Sequence, residues 1–408
     1  MSSRNFPDFL AAYLGYAKDK WCPEKFHYWS GISIIAAALE RKVWMLQSVE
    51  PRVIHYPNLY VMLVAAPGDG KSVSATRAIK ILKEVTSPEG AINFVPTQIT
   101  HAALMLALGT TKGFDVGPQR YMQSAAYFFA EEASNALGEI KGGGDIFPLF
   151  TQAYDCGDSM TKKTVGRGNE TVEFPCMNVL ACSTFDHLTG MLTNGGILGG
   201  FISRFTFVVS KEKIIRNPRI MDDEEAERPE DPRVALLIQD LQEIFQLTGR
   251  FVPDKGYREV FAKFFPENDR RRHAKETEKE QAIVARRGNL VIKLSMILAA
   301  SESSDMILKQ AHWEKAIELA NSLEEGYEKI VEISHQSNTQ DGLDAAILNH
   351  VKQSKNGVLQ ADLIGAVAKS GKNRGEILKT VQSMIVESDQ LLREVRNGKI
   401  YLRFPAQG

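Results

Sequence analysis

The sequence predicts an α/β protein with a largely parallel main sheet, followed by a run of helices and a small C-terminal unit. Three observations carry this. Short apolar runs rich in β-branched and aromatic residues alternate with helical patterns between residues 59 and 209. A glycine-rich loop follows the first of those runs and opens a helix. The final 68 residues show three helical patterns and then two strand-like runs joined by Asn-Gly.

Length and composition bound the rest. The chain has 408 residues, between two and three domains at roughly 150 residues each. That is enough to bury a large core without disulfides or metal. Hydrophobic residues make up 44% and charged residues 24%, which excludes wholesale disorder and collagen-like structure. Lys plus Arg is 49 against 50 for Asp plus Glu, a net charge of −1. A uniformly basic nucleic-acid coat is excluded, whereas local basic surfaces are not. Cys22, Cys156, Cys176 and Cys182 form no C-x-x-C pair, so neither a zinc site nor a disulfide framework is expected, and a reducing cytoplasm is the default. No apolar run reaches the length of a membrane span; residues 32–39 come nearest. The opening MSSRNFPDFL lacks the pattern of a secretory signal.

Along the chain, residues 5–42 read as two helices. Phe6, Phe9, Leu10, Tyr13 and Leu14 recur at helical spacing, and Pro23 starts a second helix that runs to about Arg41. Residues 43–46 and 59–65 are strand-like. A helix follows Lys71, then a strand at 92–95, a helix near 101–108, and strands at 127–130, 178–181 and 205–209. The segment DDEEAERPED (222–231) holds seven acids and one base, which reads as a solvated loop and a domain boundary. Helices follow at 233–247, 256–281, 283–303 and 311–335, and SHQSNTQD (334–341) reads as a second linker. In the last unit, helices at 343–351, 359–368 and 374–388 precede a hairpin of 391–395 and 400–404 around Arg396-Asn397-Gly398-Lys399, the pattern of a winged helix. It carries ten bases and seven acids. Lys372, Arg374 and Lys379 fall at the start of its third helix, and Arg396 and Lys399 on the wing. Winged helices bind DNA or dock proteins, and the sequence leaves both open.

The strongest motif is AAPGDGKS, residues 65–72, which fits G-x-x-x-x-G-K-[ST] with Ala65 at the first glycine. Glycines let backbone N–H groups turn inward and cradle phosphate oxygens at a helix N-terminus. The segment Pro67, Gly68, Asp69, Gly70, Lys71, Ser72 and Val73 is therefore the expected nucleotide site. Lys71 would reach the β- and γ-phosphates of ATP and Ser72 would hold Mg²⁺. The flanking strand and helix argue against a chance match.

Phosphoryl transfer also needs a carboxylate near the metal and a residue that orients water. The strand Tyr127-Phe128-Phe129-Ala130 ends in Glu131 and Glu132. Glu131 is placed at the metal, where the usual residue is Asp, and Glu132 at the water. The competing reading is an exposed helix N-terminus, where acids are favoured by the dipole.

Taken together, the phrases HYPNLYVMLVAAPGDGKS, FFAEEASNAL, MNVLACSTFDHL, GGFISRFTFVV and RRGNLVIKLSMILAAS resemble AAA+ ATPases of the MCM-like group. The resemblance is closer still to the P-loop domain of phage and mobile-element replication proteins, often found beside primases. It covers about residues 5–335. It implies a helical N-terminal region (1–50), an AAA+ ATPase core (51–221) and a helical lid (222–335), and the residue pattern above adds the winged-helix domain (341–408). It further implies a ring, usually a hexamer, with ATP between neighbouring subunits, in the cytoplasm of a bacterium or phage-infected host. By the same resemblance, Ser183 or Thr184 is the sensor of the γ-phosphate or water. Arg204, in GFISRF, is an arginine finger acting on the neighbour, against the alternative of a structural ion pair. Arg286 or Arg287, with Arg287 preferred, is a second phosphate-contacting arginine.

Residues 160–174 (MTKKTVGRGNETVEF) read as a hairpin about Gly-Arg-Gly-Asn. In the MCM-like group a hairpin at this place points into the channel, so Lys162, Lys163 and Arg167 would grip DNA phosphates without sequence preference. On the residues alone, an ordinary surface hairpin is preferred. Arg270-Arg271-Arg272-His273 lies among interleaved acids, and there the solvated helix face wins.

The expectation is an ATP- and Mg²⁺-dependent, ring-forming DNA helicase of a phage or mobile element, translocating on single-stranded DNA with a primase or other replication proteins as possible partners and no membrane contact. The alternatives are an initiator or helicase loader that binds DNA without unwinding it, and a protein-remodelling AAA+ ATPase.

Overall fold

Asp8 caps the first helix, α1 (Phe9–Ala17), its carboxylate accepting from the N–H groups of Leu10 at 2.9 Å and Ala11 at 3.3 Å. The computed structural model describes residues 4–18, 22–87, 90–97, 101–133, 146–164, 168–188, 202–212, 231–275, 278–336, 340–352, 354, 357–368, 373–386, 391–396 and 398–404. It divides into two units, Met1–Phe185 with Gly200–Tyr327, and Asp186–Gly199 with Glu328–Gly408.

The second helix, α2 (Glu24–Leu39), is apolar nearly all round, and every residue from Trp29 to Leu39 is buried. A helix of that composition belongs inside a core rather than on its surface. Its side chains join one cluster with α1, the main sheet and the later helices. The N-terminal helices are thus built into the first unit.

Next come β1 (Val43–Ser48), β2 (Val53–His55), β3 (Tyr60–Val64), α3 (Lys71–Lys83), β4 (Thr86–Ser87), β5 (Gly90–Ala91), β6 (Phe94–Val95), α4 (His101–Leu108), β7 (Lys112–Val116) and β8 (Gln119–Ala130). After them lie α5 (Phe147–Asp155), β9 (Ser159–Thr164), β10 (Gly168–Glu173), β11 (Pro175–Ser183) and β12 (Phe205–Val209). The main sheet runs β12-β3-β11-β8-β6 with these strands parallel, and β7 is antiparallel on β8. Tyr60 is level with Val179 and Phe205, and Val64 with Ser183 and Val209. All residues of β3, β11 and β12 are buried, as strands covered on both faces require. From β3 the chain goes to the far strand β6, returns through β8 to β11 beside β3, then crosses to β12 on the other flank. Such a divergence opens a crevice at the carboxyl ends of the strands, where α/β proteins bind ligands.

The strand expected at 127–130 is the end of the twelve-residue β8. Its first half pairs with β7 up to Gln123, and its second half pairs with β11 from Ser124 onward.

The helices α6 (Arg233–Phe245), α7 (Lys255–His273), α8 (Glu278–Glu302), α9 (Gln310–Asn321) and α10 (Glu324–Gln336) follow, with β13 (Gly249–Pro253) and β14 (Ile307–Leu308) among them. The expected helix 256–281 ends at His273, and α8 takes over from Glu278. A second sheet, β14-β13-β1-β2, brings Val43 level with Gly249. The sequence pattern predicts helices alone in this region, because strands as short as these leave no periodic signal. Residues of α6, α8 and α9 share the core cluster of α2 and β3. The acidic segment expected at 222–231 lies outside the described residues except for Asp231, and the expected linker at 334–341 is helical up to Gln336 and again from Gln340.

The second unit holds α11 (Gln340–Lys352), β15 (Val358–Leu359), α12 (Gln360–Ala368), α13 (Arg374–Val386), β16 (Leu392–Arg396) and β17 (Lys399–Arg403), with an antiparallel sheet β15-β17-β16. Leu343, Ile347 and Val351 recur at helical spacing and pack with Leu363, Val367, Ile377, Val381 and Leu402. Arg396 pairs with Lys399 across a two-residue turn, and Gly398 supplies its positive φ of 73°. Among the described residues, no helix is long and apolar enough to cross a membrane.

Candidate active site

The glycine-rich loop 65–72 stands at the carboxyl end of β3, in the crevice that the strand order creates. The Ala65 N–H donates to the Ser183 carbonyl at 3.4 Å, and the Ser210 N–H to the Val64 carbonyl at 3.0 Å, so both neighbouring strands brace the loop. Gly68 and Gly70 take φ of 86° and 76°, which side chains disfavour, and nothing lies within 4 Å of where a Cβ on Gly68 would be. The left-handed turn aims the first-turn N–H groups of α3, from Lys71 to Val73, out of the helix end. Pro67 and Gly68 are exposed, Asp69 is half-buried, and Ser72 and Val73 are exposed.

The Lys71 ammonium is folded back into the loop, donating to the carbonyls of Ala66 at 2.8 Å and Ala65 at 3.0 Å. Burial pulls its pKa down, and the charges of Asp69 and Glu132 oppose that shift. Two backbone carbonyls are a modest match for a cation, so phosphate oxygens would compete well for it.

Ala130 is level with Ala181, so the next two residues, Glu131 and Glu132, lie beyond the carboxyl end of β8, alongside the end of β11. Glu131 is exposed and Glu132 half-buried. The loop, the acid pair and Ser183–Thr184 therefore share one edge of the sheet. Ser183 is fully buried, and its hydroxyl donates to the Thr184 carbonyl at 3.2 Å. Beneath them the buried Cys182 thiol is pushed up to about 12, chiefly by burial, and stays protonated.

Arg204 is not on this edge. It ends a single 3₁₀ turn before β12, whose Phe205 is level with Tyr60 at the start of β3. Five residues at roughly 3.3 Å each separate that level from the loop. There Arg204 is buried and ion-paired with Asp155: Nε donates to Oδ1 at 2.9 Å and Nη2 to Oδ2. Arg286 lies 4.0 Å from the same carboxylate. Arg287, the preferred second arginine of the sequence reading, is elsewhere: Nη2 donates to Asn321, Nε is 3.9 Å from Glu324, and the guanidinium lies over Phe264. The structure thus brings Arg286, and not Arg287, to Arg204. Nothing in the sequence singles out Asp155.

The hairpin is present as β9 and β10, with Lys162 level with Glu170 and Lys163 with Asn169. Met160 and Val172 are buried at its base. Arg167 and the side chains of Lys162 and Lys163 lie outside the described residues. Lys372 and Asn397 of the second unit do as well. Arg396 is ion-paired with Glu394 at 2.8 Å. Among the described residues no group of three or more His, Cys, Asp or Glu side chains is placed to hold a metal. No family model matches the chain, and no curated protein matches it at a significant level.

Proposed function

We propose that this protein is an ATPase of the AAA+ class that works as a ring, usually hexameric, on DNA. One observation carries the reading: Lys71, Ser72, Glu131, Glu132 and Thr184 share the crevice at the carboxyl edge of the sheet, while Arg204 stands at the opposite edge. A subunit built this way holds nucleotide on one side and offers an arginine on the other.

In this reading Lys71 leaves the loop carbonyls for the β- and γ-phosphates, and Ser72 and Glu131 hold Mg²⁺. Mg²⁺ commonly takes only one or two protein ligands beside substrate phosphates, which fits a site of one hydroxyl and one carboxylate. When bound, it neutralises charge on the phosphates. Glu132 orients and polarises the attacking water, Thr184 or Ser183 hydrogen-bonds it or the γ-phosphate, and Arg204 reaches the neighbour's site. The work done is translocation and unwinding, with the β9–β10 hairpin touching the strand and the second unit acting as a winged helix. That DNA role, in the replication of a phage or mobile element, rests on the resemblance described above.

The test is ATP turnover and strand displacement on forked DNA. Turnover stimulated by single-stranded DNA, with displacement that vanishes in Lys71→Ala, supports the motor. DNA-stimulated turnover without displacement on either fork polarity transfers the reading to a loader or initiator. Turnover indifferent to DNA points to protein remodelling.

A further inference from the structure

Asp155 is the last residue of α5, at the negative end of the helix dipole, where a carboxylate is disfavoured. Two guanidiniums offset that placement. Arg204 engages both carboxylate oxygens with one edge of its fork, and Arg286 approaches Oδ1 to 4.0 Å. The Arg204 guanidinium also lies over the Tyr154 ring at 5.9 Å, and that ring is held edge-on by Tyr60 at 4.9 Å. A planar fork gripped along one edge by both carboxylate oxygens has a set orientation. The turn that follows is pinned as well: Arg41 donates to the carbonyls of Cys156 at 2.7 Å, Gly157 at 2.9 Å and Pro175 at 3.1 Å.

We propose that Asp155 is a positioning residue: it presents Arg204 and Arg286 together to the nucleotide of the neighbouring subunit. This rests on the reading of Arg204 as an arginine that acts across a ring interface. One carboxylate between two arginines leaves the trio with a charge of +1, so the cluster still attracts an anion. The Asp155 side chain is 47% exposed, against 8% for Arg204. Partial contact with water spares the carboxylate the full cost of desolvation while it holds the buried guanidinium. Without Asp155, the like charges of Arg204 and Arg286 push apart, and burial already pulls the Arg286 pKa down. Asp155 itself touches no substrate.

The experiment uses the full chain and steady-state ATP turnover with single-stranded DNA. Asp155→Asn is expected to lower kcat at least tenfold with KM for ATP within twofold, because its own phosphate loop is intact. Asp155→Glu, which keeps the charge, should recover part of the loss. Mixing Asp155→Asn with Lys71→Ala before assembly should give turnover well above the sum of the two alone. In the mixture one variant supplies an intact loop and the other intact arginines, and such rescue also shows that Asp155→Asn is folded. Wild-type kcat in Asp155→Asn, a loss confined to KM, or no rescue on mixing would overturn the proposal. The parallel mixture of Lys71→Ala with Arg204→Ala separates the two levels. Rescue there but not with Asp155→Asn removes Asp155 alone, and rescue in neither removes the trans-acting arginine with it.

Discussion

The ammonium of Lys293 donates to Oδ1 of Asn58 at 2.5 Å, joining α8 to the segment that leads into β3. It also donates to the carbonyls of Tyr56 at 2.9 Å and Asn58 at 3.0 Å, and it lies over the Tyr154 ring at 4.6 Å. Asn58 in turn donates to the carbonyls of Tyr154 at 2.9 Å and Met177 at 3.3 Å. Two buried side chains thus tie α8, α5 and β11 to β3 at the edge away from the 65–72 loop. Replacing Lys293 with Ala strands two buried acceptors and one partly buried one, and we expect a loss of about 2–4 kcal/mol. The urea unfolding midpoint measures it; an unchanged midpoint would mean that water replaces the amine.

His55 makes stability depend on pH. Its Nε2 lies 2.6 Å from Oε1 of Gln47, and burial, with the Lys293 charge behind it, lowers its pKa from 6.5 to about 4. As pH falls, the unfolded chain takes up a proton first, so stability is complete above pH 6.5 and declines towards pH 4. The decline is about 3 kcal/mol at 1.36 kcal/mol per pKa unit. His55→Gln should flatten the thermal midpoint across that interval, and a slope unaltered by the substitution would assign it to other groups.

Glu132→Gln should bind ATP with affinity within a few-fold of the parent and lose roughly 10²–10⁴ in kcat, the usual worth of a general base. A fluorescent nucleotide titration beside a phosphate-release assay separates the two quantities. Glu131→Gln should instead raise the Mg²⁺ concentration needed for half-maximal turnover. If Glu132→Gln turns over normally, the acid pair is only a helix or loop terminus.

Replacing Lys162, Lys163 and Arg167 together with Ala should reduce the salt dependence of single-strand binding. At about 0.7 per phosphate contact, the logarithmic slope should fall by about 2. Fluorescence anisotropy at several salt concentrations reads this directly. An unchanged slope would return the hairpin to the protein surface.

The parts legible in the sequence are those whose chemistry is local. The 65–72 loop is marked by Gly68 and Gly70 just before Lys71, and the second unit is written in short periodic runs such as Leu343, Ile347 and Val351. Asp155 escaped because its partners, Arg204 and Arg286, meet it only after the sheet has formed. The strand β13 escaped because its pairing with β1 joins Val43 to Gly249, a contact no local pattern encodes. The first half of β8, Gln119 to Gln123, alternates weakly and is mostly exposed, so only its apolar end was read as strand.

That longer strand has a mechanical consequence. β8 runs without interruption from the turn at Gly117, through the sheet, to the acid pair, a span of about 40 Å at roughly 3.3 Å per residue. An extended backbone has almost no slack. It passes from one ladder to the next between Gln123 and Ser124 with no intervening loop to absorb movement. The β7–β8 turn and the acid pair are therefore the two ends of one extended segment held by its ladders to β7, β11 and β6, and neither end can slide along the strand axis without breaking register.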